Sequence, residues 1–132
     1  MADAVTSQTL QDGDKSVVMK FTNISDGSGE AAVKKVDVSA LQTQSGSGAS
    51  CTGVTIECVW YECNGMSVDL LWDASTDILA WTLSGYGYFD FRMPGPLVNN
   101  ASSPTGDVMF TTTGHSSGDR YTVMLKMSKS YE

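Results

Sequence analysis

The stretch VTIECVWYECNGMSVDLLW, residues 54–72, decides the fold class. Val54, Ile56, Cys58 and Trp60 fall on one side of an extended chain, and Thr55, Glu57, Val59 and Tyr61 on the other. Successive strand side chains point to opposite faces, so this period of two predicts a strand over residues 54–61. Asn64-Gly65 then supplies residue types that suit a type I′ hairpin turn, which needs positive φ at both central positions. Beyond it Met66, Val68, Leu70 and Trp72 alternate with Ser67 and Asp69, which predicts an antiparallel return over residues 66–72.

The same pattern extends in both directions. Residues 5–10 read as a first strand, within an N-terminal arm (residues 1–14) expected to be flexible. The turn at Gly13 leads to residues 15–24, where Val17, Met19 and Phe21 share a face. Ala31, Ala32 and Leu41 favour a helix, but Val36-Asp37-Val38 alternates and is read as a strand. Residues 42–50, rich in Ser and Gly, form a flexible loop. After a turn at residues 73–77, Leu79, Trp81 and Leu83 face inward. Phe89, Phe91 and Met93 then alternate with Tyr88, Asp90 and Arg92 until Pro94-Gly95-Pro96 stops the strand. Residues 99–106 are a polar loop. Residues 107–113, with Val108 and Phe110 inward, and residues 120–129, with Tyr121, Val123, Leu125 and Met127 inward, complete about nine short strands. No long helical segment separates them, and no internal repeat is visible. The expected architecture is all-β: one domain, residues 1–132, built as an antiparallel, jelly-roll-like β-sandwich.

Composition narrows the function. The chain has 132 residues and a formal charge of −7 from 15 acids and 8 bases. Scattered acids and no basic stripe argue against nucleic acid, because a like-charged surface releases no counterions from phosphate. No run of 18 apolar residues suggests a membrane span, and the N-terminus lacks the basic and apolar regions of a secretory signal. Cys51, Cys58 and Cys63 are too few and too close for a disulfide framework. They read as reduced, partly buried thiols of a protein made in a cytoplasm. A structural zinc site needs four ligands, and the one histidine, His115, lies far away in sequence.

Several polar groups invite a chemical reading and have a simpler one. His115 sits in Gly-His-Ser-Ser-Gly-Asp, but a catalytic triad needs side chains converging from a rigid frame, so a hairpin turn is expected. Asp12, Asp14, Asp26 and Glu30 lie in two neighbouring loops. Ca²⁺ takes six or more oxygens and the string is no EF-hand, so these read as solvated turn residues. Asp73 and Asp77 resemble a glycosidase pair only in number and sit at a hairpin end. Asn23-Ile24-Ser25 and Asn100-Ala101-Ser102 match glycosylation sequons, which matter only on secretion. No catalytic residue, cofactor or metal is therefore expected. The aromatic residues are more informative. Trp60, Trp72 and Trp81 fall on the apolar faces, whereas Val59, Tyr61, Tyr86, Tyr88 and Met124 fall on the opposite parity. Either these five form a partner surface, or a sheet edge or loop covers them.

The segments Ala32-Val33-Lys34-Lys35-Val36-Asp37-Val38-Ser39-Ala40-Leu41, Gly53-Val54-Thr55-Ile56, Gly65-Met66-Ser67-Val68-Asp69-Leu70-Leu71-Trp72-Asp73 and Gly106-Asp107-Val108-Met109-Phe110-Thr111-Thr112 carry a resemblance. With the closing strand, they are similar to small structural proteins of tailed-bacteriophage virions of the marine type, such as capsid decoration or cement proteins. The resemblance covers most of the chain from about Ser16 and carries no catalytic motif. It implies a non-enzymatic protein on the virion's capsid surface, made in the host cytoplasm, with the major capsid protein and further copies of itself as partners. The alternative is a carbohydrate-binding β-sandwich module that stacks a glycan on Tyr61, Tyr86 or Tyr88.

Overall fold

The structure, a computed structural model, describes residues 4–92, 95–102 and 104–131. Seven strands follow in order: β1 (Ala4–Asp12), β2 (Ser16–Ile24), β3 (Val33–Val36), β4 (Cys51–Ala74), β5 (Ile78–Asp90), β6 (Pro104–Thr113) and β7 (Arg120–Tyr131). Every strand pairing is antiparallel. The chain is thus all-β, a curled half-barrel of seven strands. The nine expected strands become seven because residues 54–61 and 66–72 both belong to β4, and residues 78–83 and 88–90 both belong to β5. The third expected strand also moves. β3 ends at Val36, and Val38–Ala40 form a 3₁₀ turn capped by the Asp37 side chain on the Ser39 amide. Met93 and Pro94, expected to end the strand that became β5, lie outside the described residues.

The merger at Asn64-Gly65 has a physical reason. A type I′ turn needs positive φ at both residues. Gly65 has φ +82°, but among the described residues Ala32 is the one non-glycine with positive φ, so Asn64 stays extended. Partners are already engaged on each side: Asn64 opposes Arg120 of β7, and Ser67 opposes both Thr113 of β6 and Ser84 of β5. The chain bulges and bends there without reversing. Gly85 of β5, across the same corner, also has positive φ.

This bend organises the molecule. β5 pairs with β4 on both sides of it, over Cys58–Glu62 and Ser67–Trp72. The other side of β4 is taken by β7 from Cys51 to Asn64 and by β6 from Ser67 to Ala74. The β4–β5 ribbon therefore carries two leaves, one continuing through β7, β2 and β1, the other through β6 and β3. Bending brings the leaves face to face. Phe21 of β2 meets Phe110 of β6 edge-on at 5.1 Å, and Phe110 meets Tyr121 of β7 at 5.9 Å. Val17, Phe21, Trp72, Phe110, Tyr121 and Leu125 are fully buried between them.

A second irregularity changes which residues that core receives. Ile56 opposes Met127 and Cys58 opposes Lys126, so Glu57 is an extra residue in β4. One extra residue exchanges the two faces. Val59, expected outside, is consequently fully buried, and Trp60, expected inside, is 37% exposed.

Polar side chains bind the leaves and loops. The buried Glu30 carboxylate accepts hydrogen bonds from Asn23 of β2 (3.0 Å) and Tyr121 of β7 (2.6 Å) and pairs with Lys35 of β3 at 2.5 Å. Its backbone exchanges hydrogen bonds with Thr112 of β6. The fully buried Lys129 ammonium donates to Asp12 Oδ1 (2.7 Å) and to the carbonyls of Gly13 (2.9 Å) and Gln42 (2.8 Å). With Gln42 N–H on Asp12 and Ser45 N–H on Asp14, it ties the 42–50 loop to the β1–β2 turn. The N-terminal segment from Ala4 is likewise paired along β2.

A side chain at Gly65 would meet both the left-handed backbone and the Asp119 carboxylate, on which its Cβ would land. Gly65→Ala is expected to destabilise by about 2–3 kcal/mol. At Gly53, in the same strand, φ is ordinary and a Cβ has open space. Gly53→Ala is expected to stay within about 1 kcal/mol of the parent. Urea unfolding of the two variants checks the contrast, and equal losses would contradict the corner as described.

Candidate functional site: an aromatic row on the outer face

Directly opposed residues of neighbouring strands share a face. Met124 of β7 opposes Trp60 of β4, which opposes Tyr88 of β5. Two residues along, Thr122 opposes Glu62, which opposes Tyr86. These six side chains therefore lie on one face, with the core on the other. The Trp60 and Tyr88 rings stack at 5.0 Å with planes 22° apart. Tyr86 is 84% exposed. Trp60, Glu62, Tyr86, Thr122 and Met124 border an open groove of about 510 Å³.

Tyr88 also covers a thiol. Its hydroxyl donates to Cys58 Sγ at 3.8 Å, and that thiol donates to Asp90 Oδ1 at 3.7 Å. Arg92 grips Asp90 through Nε at 2.8 Å and Nη2 at 2.7 Å. The guanidinium holds the Asp90 carboxyl well below the usual carboxylate range. The bond to Cys58, and then desolvation, raise the Tyr88 phenol above its ordinary value. Tyr88 is thus pinned at its hydroxyl and stacked at its ring, which limits the freedom it could lose on binding.

Of the five residues expected to form a surface, Tyr86, Tyr88 and Met124 do share this face. Val59 is in the core, opposite Phe89. Tyr61 faces the concave side, where its ring stacks on Phe89 at 6.2 Å and packs against the core, although its edge reaches the groove rim. Its opposite number is Gly87, where a Cβ would come within 3.0 Å of the Tyr61 hydroxyl. Sequence reasoning missed Trp60. The available signal was the apolar run Cys58-Val59-Trp60-Tyr61, whose two parities are equally apolar and leave the buried face undecided.

The other polar groups have structural partners. His115 Nδ1 lies 3.3 Å from Thr112 Oγ1, while Asp119 Oδ2 accepts from the Ser116 amide, so no His-Ser-Asp relay forms in that turn. Asp73 accepts from Thr105, and Asp77 from the Ala74 amide. Glu30, expected in solvent, is instead the buried leaf-linking carboxylate. Among the described residues no group of three or more His, Cys, Asp or Glu side chains is arranged to hold a metal ion. All three cysteines are free and buried. Comparison with models of known protein families and with curated proteins finds no match.

Beside the groove, burial and then the Glu62 charge push the Cys63 thiol up from 9.0 to about 11. The folded chain keeps that proton between pH 9 and 11, where the unfolded chain releases it. The unfolded state then binds fewer protons, so this thiol's contribution to stability falls as pH rises through that window. Urea midpoints of the parent are expected to fall from pH 9 to 10.5 more steeply than those of Cys63→Ala. Parallel curves would contradict a burial-raised thiol.

Proposed function

We propose that this chain is a non-enzymatic structural protein of a tailed-phage virion, a capsid decoration or cement protein that docks on the assembled head through the outer-face aromatic row. The finer fold reading, a two-layered jelly-roll-like sandwich, belongs to the same proposal, with the bent β4–β5 ribbon contributing a segment to each layer. The observation that carries the docking face is the stacked Trp60–Tyr88 pair beside the exposed Tyr86, all held on a sheet whose other face is core. Aromatic side chains are enriched among interface anchors, and pre-positioned rings lose little entropy on contact. The groove is open, which suits a flat protein surface. A cement protein stabilises a shell because it binds the assembled form and not its parts, and many copies multiply a modest interface. The major capsid protein is the partner this reading names.

The test is co-sedimentation with tailed-phage heads assembled without this chain. Saturable binding is expected. Trp60→Ala and Tyr86→Ala are each expected to weaken it about tenfold or more, as hot-spot truncations do, with thermal midpoints within about 2 °C of the parent for the exposed Tyr86. Tyr61→Ala is expected to lower stability instead, because that ring packs on the core. Absence of binding to heads would overturn the reading. An oligosaccharide titration that saturates at micromolar concentration and protects Tyr86 would replace it with the carbohydrate-binding alternative, since Glu62 and the rings border one groove.

A further inference from the structure

The three sheet edges differ in how they are guarded. β1 carries a bulge between Thr9 and Gln11 and mostly polar side chains. β3 is four residues long and contains Lys34 and Lys35. Short length, lysine and bulges are the usual means of discouraging edge pairing. β5, with 13 residues, is neither short nor lysine-bearing, and its guards are two register irregularities, at Ala80 and at Gly85. Residues 78–89 contain no charge and no proline, and β5 pairs with β4 alone among the described strands. Its one charged residue, Asp90, is at its end and is bound to Arg92.

We infer that the free edge of β5 is an interface between two copies of this chain, paired antiparallel about a two-fold axis near Gly85. Charge selects the occupant. A chain carrying −7 repels its own copies over most of its surface. A two-fold places each residue near its own counterpart, so an isologous contact tolerates no uncompensated charge near the axis. The 78–89 stretch meets that condition, whereas a partner of different composition would be matched by complementary charge. Apolar side chains flank the edge on both faces: Tyr86 and Tyr88 on the outer one, 84% and 47% exposed, and Phe89 on the concave one, 43% exposed. Pairing along β5 would add their contact to the backbone hydrogen bonds of the edge. The pairing would also place the two Trp60–Tyr88 rows on one continuous outer face. It does not depend on the virion reading.

The experiment is sedimentation equilibrium of the full chain from 1 to 100 µM with reductant, so that thiol-linked species do not count. A monomer–dimer equilibrium is expected for the parent. Ser84→Lys puts two ammonium groups next to the axis and is expected to weaken the dimer at least tenfold without moving the thermal midpoint. Ser84→Glu does the same with carboxylates. Mixing the two is expected to restore a heterodimer, which a merely misfolded variant cannot do. Thr82→Lys with Thr82→Glu serves if the first pair folds poorly. A parent monomeric at 100 µM, an open-ended association, or a dimer indifferent to these charges would each overturn the inference. Particle binding enters none of these readouts, so the two proposals fail separately.

Discussion

One strand belongs to both leaves of this protein, and that constraint governs the rest. β4 is 24 residues long. A straight strand of that length would reach roughly 80 Å at ~3.3 Å per residue, and its apolar face would have nothing opposite. The bend at Gly65 converts one long apolar face into two that cover each other. The loop between β6 and β7 closes the outside of the corner. There Ser25 N–H donates to the Asp119 carbonyl and Gly118 N–H to the Ser25 carbonyl. The same Asp119 carboxylate occupies the space that a side chain at Gly65 would need. Corner, loop and the end of β2 are therefore one unit, and none can be re-sequenced without regard to the others.

Glu30 holds the leaves in register beside that corner. Its carboxylate touches β2, β7 and β3 while its backbone touches β6. A buried ion pair often adds little net stability, because desolvation offsets the Coulomb gain, but removing one partner is costly. Its effect here is selective. A leaf slipped by two residues would keep much of its apolar contact yet strand a buried carboxylate. Lys129 does the same for the 42–50 loop, whose Ser- and Gly-rich composition reads as a free linker. A composition measures chain stiffness and cannot register an ammonium group arriving from more than 80 residues away.

The alternation of residues 17–21, 66–72, 108–110 and 121–127 was legible because each of those stretches runs without an extra residue, and its inward set is buried almost throughout. The hairpin at Asn64-Gly65 was misread for a reason that lies outside the local sequence. Asn-Gly reports that positive φ is cheap, and Gly65 does adopt it, but whether the chain reverses depends on β6 and β7 arriving end to end along β4. Phase was lost at Glu57, where a bulge has no glycine to announce it. The candidate site inherits that error directly: Tyr86, Tyr88 and Met124 were readable because residues 86–90 and 120–129 each run in phase with β4, whereas Val59 and Trp60 exchange places. β5 loses phase earlier, at Ala80, so that Leu79, expected inward, opposes Leu71 and is 52% exposed.

That bulge is also what exports the aromatic row. Without the extra residue Trp60 would enter the core and Val59 would face solvent. The bulge is held from both ends: Lys126 donates to the Glu57 carboxylate at 3.1 Å, and Phe91 N–H donates to the Glu57 carbonyl at 2.7 Å. The Phe91 ring, in turn, packs edge-on to Trp81 at 4.8 Å on the concave side. Inner-face packing is thereby coupled through one carbonyl to the outer-face position of Trp60. Bulges re-aim side chains at functional surfaces, and this one places the largest side chain type on the open face while a valine fills the core behind it. A fold selected for stability alone would gain by burying the tryptophan. Its placement outside, stacked on a tyrosine that is itself tied to Cys58, is the feature on which the proposed docking face rests.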